Sequence, residues 1–157
     1  MLIKGSITAL VTPMNEKGDL DYDSLEKLIN YQINSGISGL VAVGTTGESA
    51  TIDFKDHIKL IEFFVKINKG RVHIIAGTGA NSTEEALHLT KEAKSAGADA
   101  ALLVSPYYNK PPQEGIYYHH MKIADEVDIP QILYNVPSRT ASFIEPETVQ
   151  RLSSHKN

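Results

Sequence analysis

The chain has 157 residues, a formal net charge of -4, 41% hydrophobic and 22% charged residues, and no cysteine. That length suits one domain with a sizeable core, the acidic balance argues against nucleic acid or an anionic membrane as a partner, and the missing thiols exclude disulfides, thiolate catalysis and cysteine-type zinc sites. Residues 1–6 lack the apolar run of a signal peptide and no stretch approaches membrane-spanning length, so the sequence predicts a cytoplasmic protein.

Short apolar runs alternate with longer amphipathic ones from end to end. Strands are predicted over residues 3–11, 39–43, 72–76, 100–104 and 131–134, each rich in Ile, Val, Leu or Ala with little alternation, as expected when both faces are covered. Their centres recur roughly every 30 residues, the size of a βα unit. Between them, Asp23-Ser-Leu-Glu26 and Ser82-Thr-Glu-Glu85 have the form of capping boxes, Pro146 suits the first turn of a last helix, and Gly36, Gly70 and Gly97 sit where helices should stop. No linker or composition shift marks a boundary, so residues 1–157 are expected to form one domain. Alternating strands and helices imply a parallel sheet. Counted alone, five strands favour an open doubly wound sheet over part of a (β/α)₈ barrel, which needs roughly 250 residues.

In either architecture ligands bind beyond the carboxyl ends of the strands. Those ends read Thr8 and Thr12-Pro13, Gly44-Thr-Thr-Gly-Glu48, Gly77-Thr-Gly-Ala-Asn81, Ser105-Pro-Tyr-Tyr-Asn109 and Tyr134-Asn-Val-Pro-Ser-Arg139. Hydroxyls dominate, from Thr45, Thr46, Tyr107, Tyr108 and Tyr134, with one guanidinium at Arg139. Such a set can bind a small carboxylate and pass a proton along a chain of O–H groups. Simpler roles compete: the threonines as caps of the next helix, the tyrosine pair as packing or interface, Arg139 as a surface cation. Glu48 could be a general base or the partner of a helix dipole. The Gly77 loop lacks the third glycine of a dinucleotide fingerprint. His119 and His120, adjacent on a predicted helix, should splay apart and be solvated or packed. Lys55, Lys59 and Lys66 read as a wet helix face.

Four stretches together carry a resemblance. Gly39-Leu-Val-Ala-Val-Gly-Thr-Thr-Gly-Glu48, Ala76-Gly-Thr-Gly-Ala-Asn81, Ser105-Pro-Tyr-Tyr-Asn-Lys-Pro111 and Tyr134-Asn-Val-Pro-Ser-Arg-Thr140 resemble the signatures of the dihydrodipicolinate synthase (4-hydroxy-tetrahydrodipicolinate synthase) family, pyruvate-dependent lyases of lysine biosynthesis, in order and along the whole chain. The resemblance implies a (β/α)₈ TIM barrel of which this chain holds about the first five βα units, one incomplete domain. It also implies a mechanism without cofactor or metal: a lysine amine forms a Schiff base with pyruvate, the resulting enamine attacks aspartate semialdehyde, and the product cyclises. Thr46 would hold the pyruvate carboxylate. Tyr134, Thr45 and Tyr108 would relay protons, because a lone phenol near its ordinary pKa of about 10 is a poor base. Arg139 would clamp the carboxylate of the second substrate, and its presence distinguishes this chain from the related N-acetylneuraminate lyases. Tyr108 would reach into a neighbouring subunit of a homo-oligomer, usually a tetramer. Family members inhibited by lysine use positions resembling Ser49, Ala50, His57, Asn81, Glu85 and Tyr107; Phe54 stands where histidine or another polar residue is common.

The family's Schiff-base lysine lies on strand six, which by the observed spacing should begin just after Asn157. The lysines present sit on predicted helices, in turns or loops, or, as Lys4, at the wrong end of a strand. The chain is therefore expected to carry the relay and the carboxylate clamps without the nucleophile. The rival expectations are another pyruvate-dependent aldolase of the same superfamily, or a non-catalytic remnant.

Overall fold

Five parallel strands, each hydrogen-bonded to its neighbour in sequence, make the sheet of this computed structural model, which describes residues 3–157. Met1 and Leu2, part of the N-terminal stretch read above for a leader, lie outside the described residues. The strands are β1 (Ile7–Ala9), β2 (Gly39–Ala42), β3 (His73–Gly77), β4 (Ala100–Val104) and β5 (Gln131–Tyr134), and the order is β1-β2-β3-β4-β5. The register runs Ile7↔Gly39, Gly39↔His73, Ile75↔Ala100 and Ala101↔Gln131.

That order corrects the expectation of an open doubly wound sheet. A doubly wound sheet reverses its strand order at a switch point and carries helices on both faces. Here no reversal occurs, and the helices α1 (Tyr22–Asn34), α2 (Phe54–Asn68), α3 (Thr83–Ala96), α4 (Gln113–Glu126) and α6 (Pro146–Leu152) pack side by side, α1 on α2, α2 on α3, α3 on α4 and α4 on α6. A one-turn helix, α5 (Pro137–Thr140), follows β5. A sheet with consecutive order and one layer of helices is an arc of a (β/α)₈ barrel.

Alternation along each strand divides the core into two layers. Outward-facing Leu40, Ala42, Ile74 and Ala76 pack with Leu25 and Ile29 of α1 and Leu60, Ile61 and Phe64 of α2. Each leucine, isoleucine and phenylalanine among them contributes about 1.5–3 kcal/mol by leaving water. The buried stripe of α2, His57, Leu60, Ile61, Phe64 and Asn68, is the helical period made visible by burial. A second outer cluster joins Leu87 of α3 and Ile123 of α4 to Ala101 and Leu103. Inward-facing Val41, Ile75 and Ala100 pack with Ile7, Leu102 and Ile132 on the barrel side.

Local signals held where the chain is short of alternatives. Ser82 caps α3, accepting the Glu85 N–H, Gly97 closes it at φ 96, and Pro146 opens α6. The first capping box is displaced: Asp21 caps α1, its Oδ1 accepting the Ser24 N–H at 3.0 Å, and Asp23 falls in the first turn. Asp21 is fixed there because its own N–H donates to the Pro13 carbonyl at 2.9 Å. Ser35 and Lys69 cap α1 and α2, with Gly36 and Gly70 one residue later, both at positive φ. The strand predicted over 3–11 pairs only at Ile7–Ala9. Among the described residues no helix is long and apolar enough to cross a membrane.

Candidate functional site

β2 stops at Ala42 because Val43 adopts φ 52, a left-handed conformation that a β-branched residue enters at a cost. The turn is enforced across the sheet: a Cβ on Gly77 would lie 2.3 Å from the Val43 carbonyl oxygen, so only glycine lets β3 end beside it. The chain then runs through Gly44 into a 3₁₀ turn, Thr45–Gly47, then Glu48 at φ 61 and a second 3₁₀ turn, Ser49–Thr51. Thr12, buried, pins this loop by donating from Oγ1 to the Gly47 carbonyl at 2.7 Å.

The capping role for Thr45 and Thr46 fails on geometry. The cap of α2 is Asp53, whose Oδ1 accepts the Asp56 N–H at 2.9 Å, and the first 3₁₀ turn has Gly44 at its cap with no side-chain hydrogen bond. Both threonines are exposed at the carboxyl end of the sheet. Glu48 stands at the cap position of the second 3₁₀ turn and lines the neighbouring cavity, while the cap of α2 is Asp53.

Tyr134 ends β5, half-buried and in register with Val104. Two residues from Ile132, it shares that residue's inward face. Arg139, exposed on α5, follows at the same end. Tyr108 lies in the loop after β4, 91% exposed and at φ 73. A large aromatic held in a left-handed conformation with its ring in water gains nothing within its own chain, and such strain clusters at functional positions.

Beside this mouth is a cavity of ≈ 360 Å³. It brings together Thr45, Ser49, Ala50, His57, Glu85, Tyr107 and Arg139 and leaves Thr46, Tyr108, Asn81 and Tyr134 outside its wall. His57, buried, sits 2.7 Å from the Gly77 carbonyl through Nε2. A carbonyl only accepts, so Nε2 carries the proton; burial lowers the pKa, the Gly77 carbonyl opposing, and the imidazole is neutral with Nδ1 an acceptor. Burial raises the Tyr107 pKa, Glu85 adding to it. Phe54 also lines the cavity, its ring edge-to-face on His88 at 4.8 Å.

The Gly77 loop has a packing role: Thr78 is buried, its hydroxyl 2.9 Å from that of Thr90, whose own O–H donates to the Ala86 carbonyl at 2.6 Å. His119 and His120 are packed, and the expectation that they splay apart is corrected, since their rings meet edge-to-face at 5.0 Å. Thr83 Oγ1 is 2.9 Å from His119 Nδ1. Lys59 of the wet helix face pairs with Asp56. None of the five strands contains a lysine, and no group of three or more His, Asp or Glu among the described residues is placed to hold a metal. Sequence reasoning overlooked the buried hydroxyls Thr140, Ser142 and Ser105, whose partners are distant in sequence or carry no motif. The assembled groups can bind carboxylates and move protons; they offer no amine at a strand end.

Comparison with known proteins gives a consistent result. The model of the dihydrodipicolinate synthetase family matches residues 2–157. The chain is 60% identical over 156 residues to the 4-hydroxy-tetrahydrodipicolinate synthase of Pseudomonas putida (strain W619), which takes in 99% of this chain and 53% of that protein. The crystal structure of the chloride-inhibited dihydrodipicolinate synthase from Acinetobacter baumannii complexed with pyruvate superposes with a TM-score of 0.98 at 52% identity, over 99% of this chain and 54% of that one. The enzyme from Cyanidioschyzon merolae with lysine bound gives 0.94 at 41% identity, over 97% and 52%. The chain thus spans about half the length of the curated relatives it matches.

Proposed function

The chain belongs to the dihydrodipicolinate synthetase family, and from that premise we propose that, within a full-length protein, it supplies the proton relay and carboxylate clamps of a lyase condensing pyruvate with aspartate semialdehyde to 4-hydroxy-tetrahydrodipicolinate. The observation that carries the reading is the exposure of Thr45 and Thr46, freed from helix capping by Asp53, at the same sheet end as inward-facing Tyr134 and exposed Arg139. The pyruvate complex of the Acinetobacter baumannii relative supports pyruvate as the first substrate.

In this mechanism a lysine beyond Asn157 adds to the keto carbon of pyruvate, water leaves, and the iminium gives up a proton to become the enamine that forms the new carbon–carbon bond. Thr46 binds the pyruvate carboxylate. Tyr134 passes protons through Thr45 and Tyr108. Arg139 holds the carboxylate of the semialdehyde through its planar fork. Tyr108, strained and wet here, acts across the interface of a homo-oligomer, taken as a tetramer.

Trapping tests the division of labour. Pyruvate with borohydride is expected to leave a covalent adduct, read by intact mass, on the full-length protein and none on the 157-residue chain. An adduct on the short chain would overturn the placing of the nucleophile; its absence from the full-length protein would overturn the lyase reading. Turnover with aspartate semialdehyde but not N-acetylneuraminate separates this activity from that of the related sugar-acid lyases.

The adjoining cavity suits an amino acid effector. Glu85 offers a carboxylate to an ammonium group, and neutral His57 and Tyr107 offer polar contacts, with Asn81 hydrogen-bonded to Tyr107 through its backbone. We assign it to lysine, with Ser49 and Ala50 on its rim and Phe54 replacing a polar wall. Millimolar lysine is expected to inhibit the full-length enzyme; unchanged steady-state rates would refute the assignment.

A further inference from the structure

Two segments carry the groups that act on the second substrate, and buried hydroxyls tie one to the other. Residues 105–112, between β4 and α4, hold Tyr108; residues 135–145, between β5 and α6, hold Arg139. Ser142 donates from Oγ to the Pro106 carbonyl at 2.9 Å, and its Oγ lies 3.5 Å from that of Ser105. Thr140 Oγ1 donates to the Ser142 carbonyl at 2.7 Å and accepts the Ser142 N–H at 3.3 Å. Ser105, Thr140 and Ser142 are all buried. Between the last two, Ala141 sits at φ 54, a strained conformation that the flanking hydrogen bonds hold in place. Pro106 is two residues before Tyr108, and Ser142 three after Arg139.

Ser142 is not part of the cavity wall, and the Thr45–Thr46 loop has its own anchor in Thr12. We propose that Ser142 is a positioning residue: its hydroxyl sets the spacing between the Arg139 and Tyr108 loops and so tunes capture of the second substrate while leaving pyruvate binding alone. The proposal rests on the role given to Arg139 above. Removing the hydroxyl leaves the Pro106 carbonyl without its donor, and a displacement on the order of 1 Å weakens a positioned group by up to about 100-fold.

The test is made in the full-length enzyme with Ser142→Ala and, as a reference, Arg139→Ala. Ser142→Ala is expected to raise the KM for aspartate semialdehyde about tenfold, with the KM for pyruvate and the borohydride-trapping yield within about twofold of the parent. Ser142→Cys, similar in size and still a weak donor, should fall between and carries the same comparison if the alanine variant does not fold. Equal rises in both KM values, loss of trapping, or no change would overturn the proposal, since a merely structural role predicts no split. If Arg139→Ala leaves the semialdehyde KM unchanged, the reading of Arg139 falls and the proposal with it; if Arg139→Ala raises it and Ser142→Ala does not, the proposal falls alone.

Discussion

Replacing Tyr134 by Phe in the full-length enzyme is expected to lower kcat by about 10³-fold, within the range for loss of a positioned proton carrier. Phe keeps the ring where the inner face needs it, beside Ile132 and in register with Val104, so the fold and its thermal midpoint are retained. Only the O–H is lost. The proposed reaction moves protons when the carbinolamine loses water, when the enamine forms and when the ring closes, and in that scheme each transfer loses its carrier at once. In the proposed relay Tyr134 serves as a link whose proton is replaced, through the hydroxyls of Thr45 and Tyr108, as it is given. The KM for pyruvate, set by Thr46 in this scheme, stays near its parent value. Steady-state rates at saturating concentrations of both substrates give the measurement, with borohydride trapping reporting a slower approach to the same adduct. A loss smaller than about tenfold would remove Tyr134 from the relay.

Much of this was legible in the sequence because much of it is local. β4 and β5 were read to the residue, since an apolar run bounded by turn formers has few alternatives. β1 was over-read because hydrophobicity does not say how much of a run finds a partner. β2 was over-read by one residue, since nothing in Val43 announces a left-handed turn imposed by Gly77 across the sheet. The open-sheet expectation failed for a deeper reason: barrels and doubly wound sheets are written with the same apolar runs, and the one-sidedness of the helices that separates them is a tertiary property. The family motifs resolved it where periodicity could not. At the site, residue types pointed to carboxylates and protons, yet binding and capping roles for Thr45 and Thr46 were separable only once Asp53 was seen to cap α2. Ser142 was invisible because its acceptor lies 36 residues away.

Acid is expected to unfold this segment well before its surface ion pairs are exhausted, through the histidines buried on α4. His119 is 4% and His120 2% exposed. His119 Nε2 and both ring nitrogens of His120 lack a hydrogen-bond partner, as does Gln131 Nε2 nearby, so no acceptor stabilises a proton on those three ring nitrogens; only His119 Nδ1 meets a neutral partner, the Thr83 hydroxyl at 2.9 Å. Burial lowers the pKa of His119 to about 4; burial, then repulsion from His119, lowers that of His120 to about 3. Released by unfolding, both titrate near the ordinary value of 6.5. Between those limits the unfolded chain binds protons that the folded chain refuses, so stability is whole above pH 6.5 and declines as pH falls toward 4 and 3. By pH 4 the pair removes on the order of 5 kcal/mol, comparable with the whole stability of an ordinary domain. Glu84 on α3 and Lys122 and Glu126 on α4 itself are paired at the surface, and burial and the repulsion between the two rings are what shift the pair. Denaturant titrations of the full-length protein from pH 8 to pH 4 should show the midpoint falling most steeply below about 6. His120→Phe, an apolar ring beside a cavity of ≈ 180 Å³ that can take the extra volume, should flatten that slope and raise stability at pH 5. A variant that follows the parent profile across the range would show that these rings do not govern the acid limit.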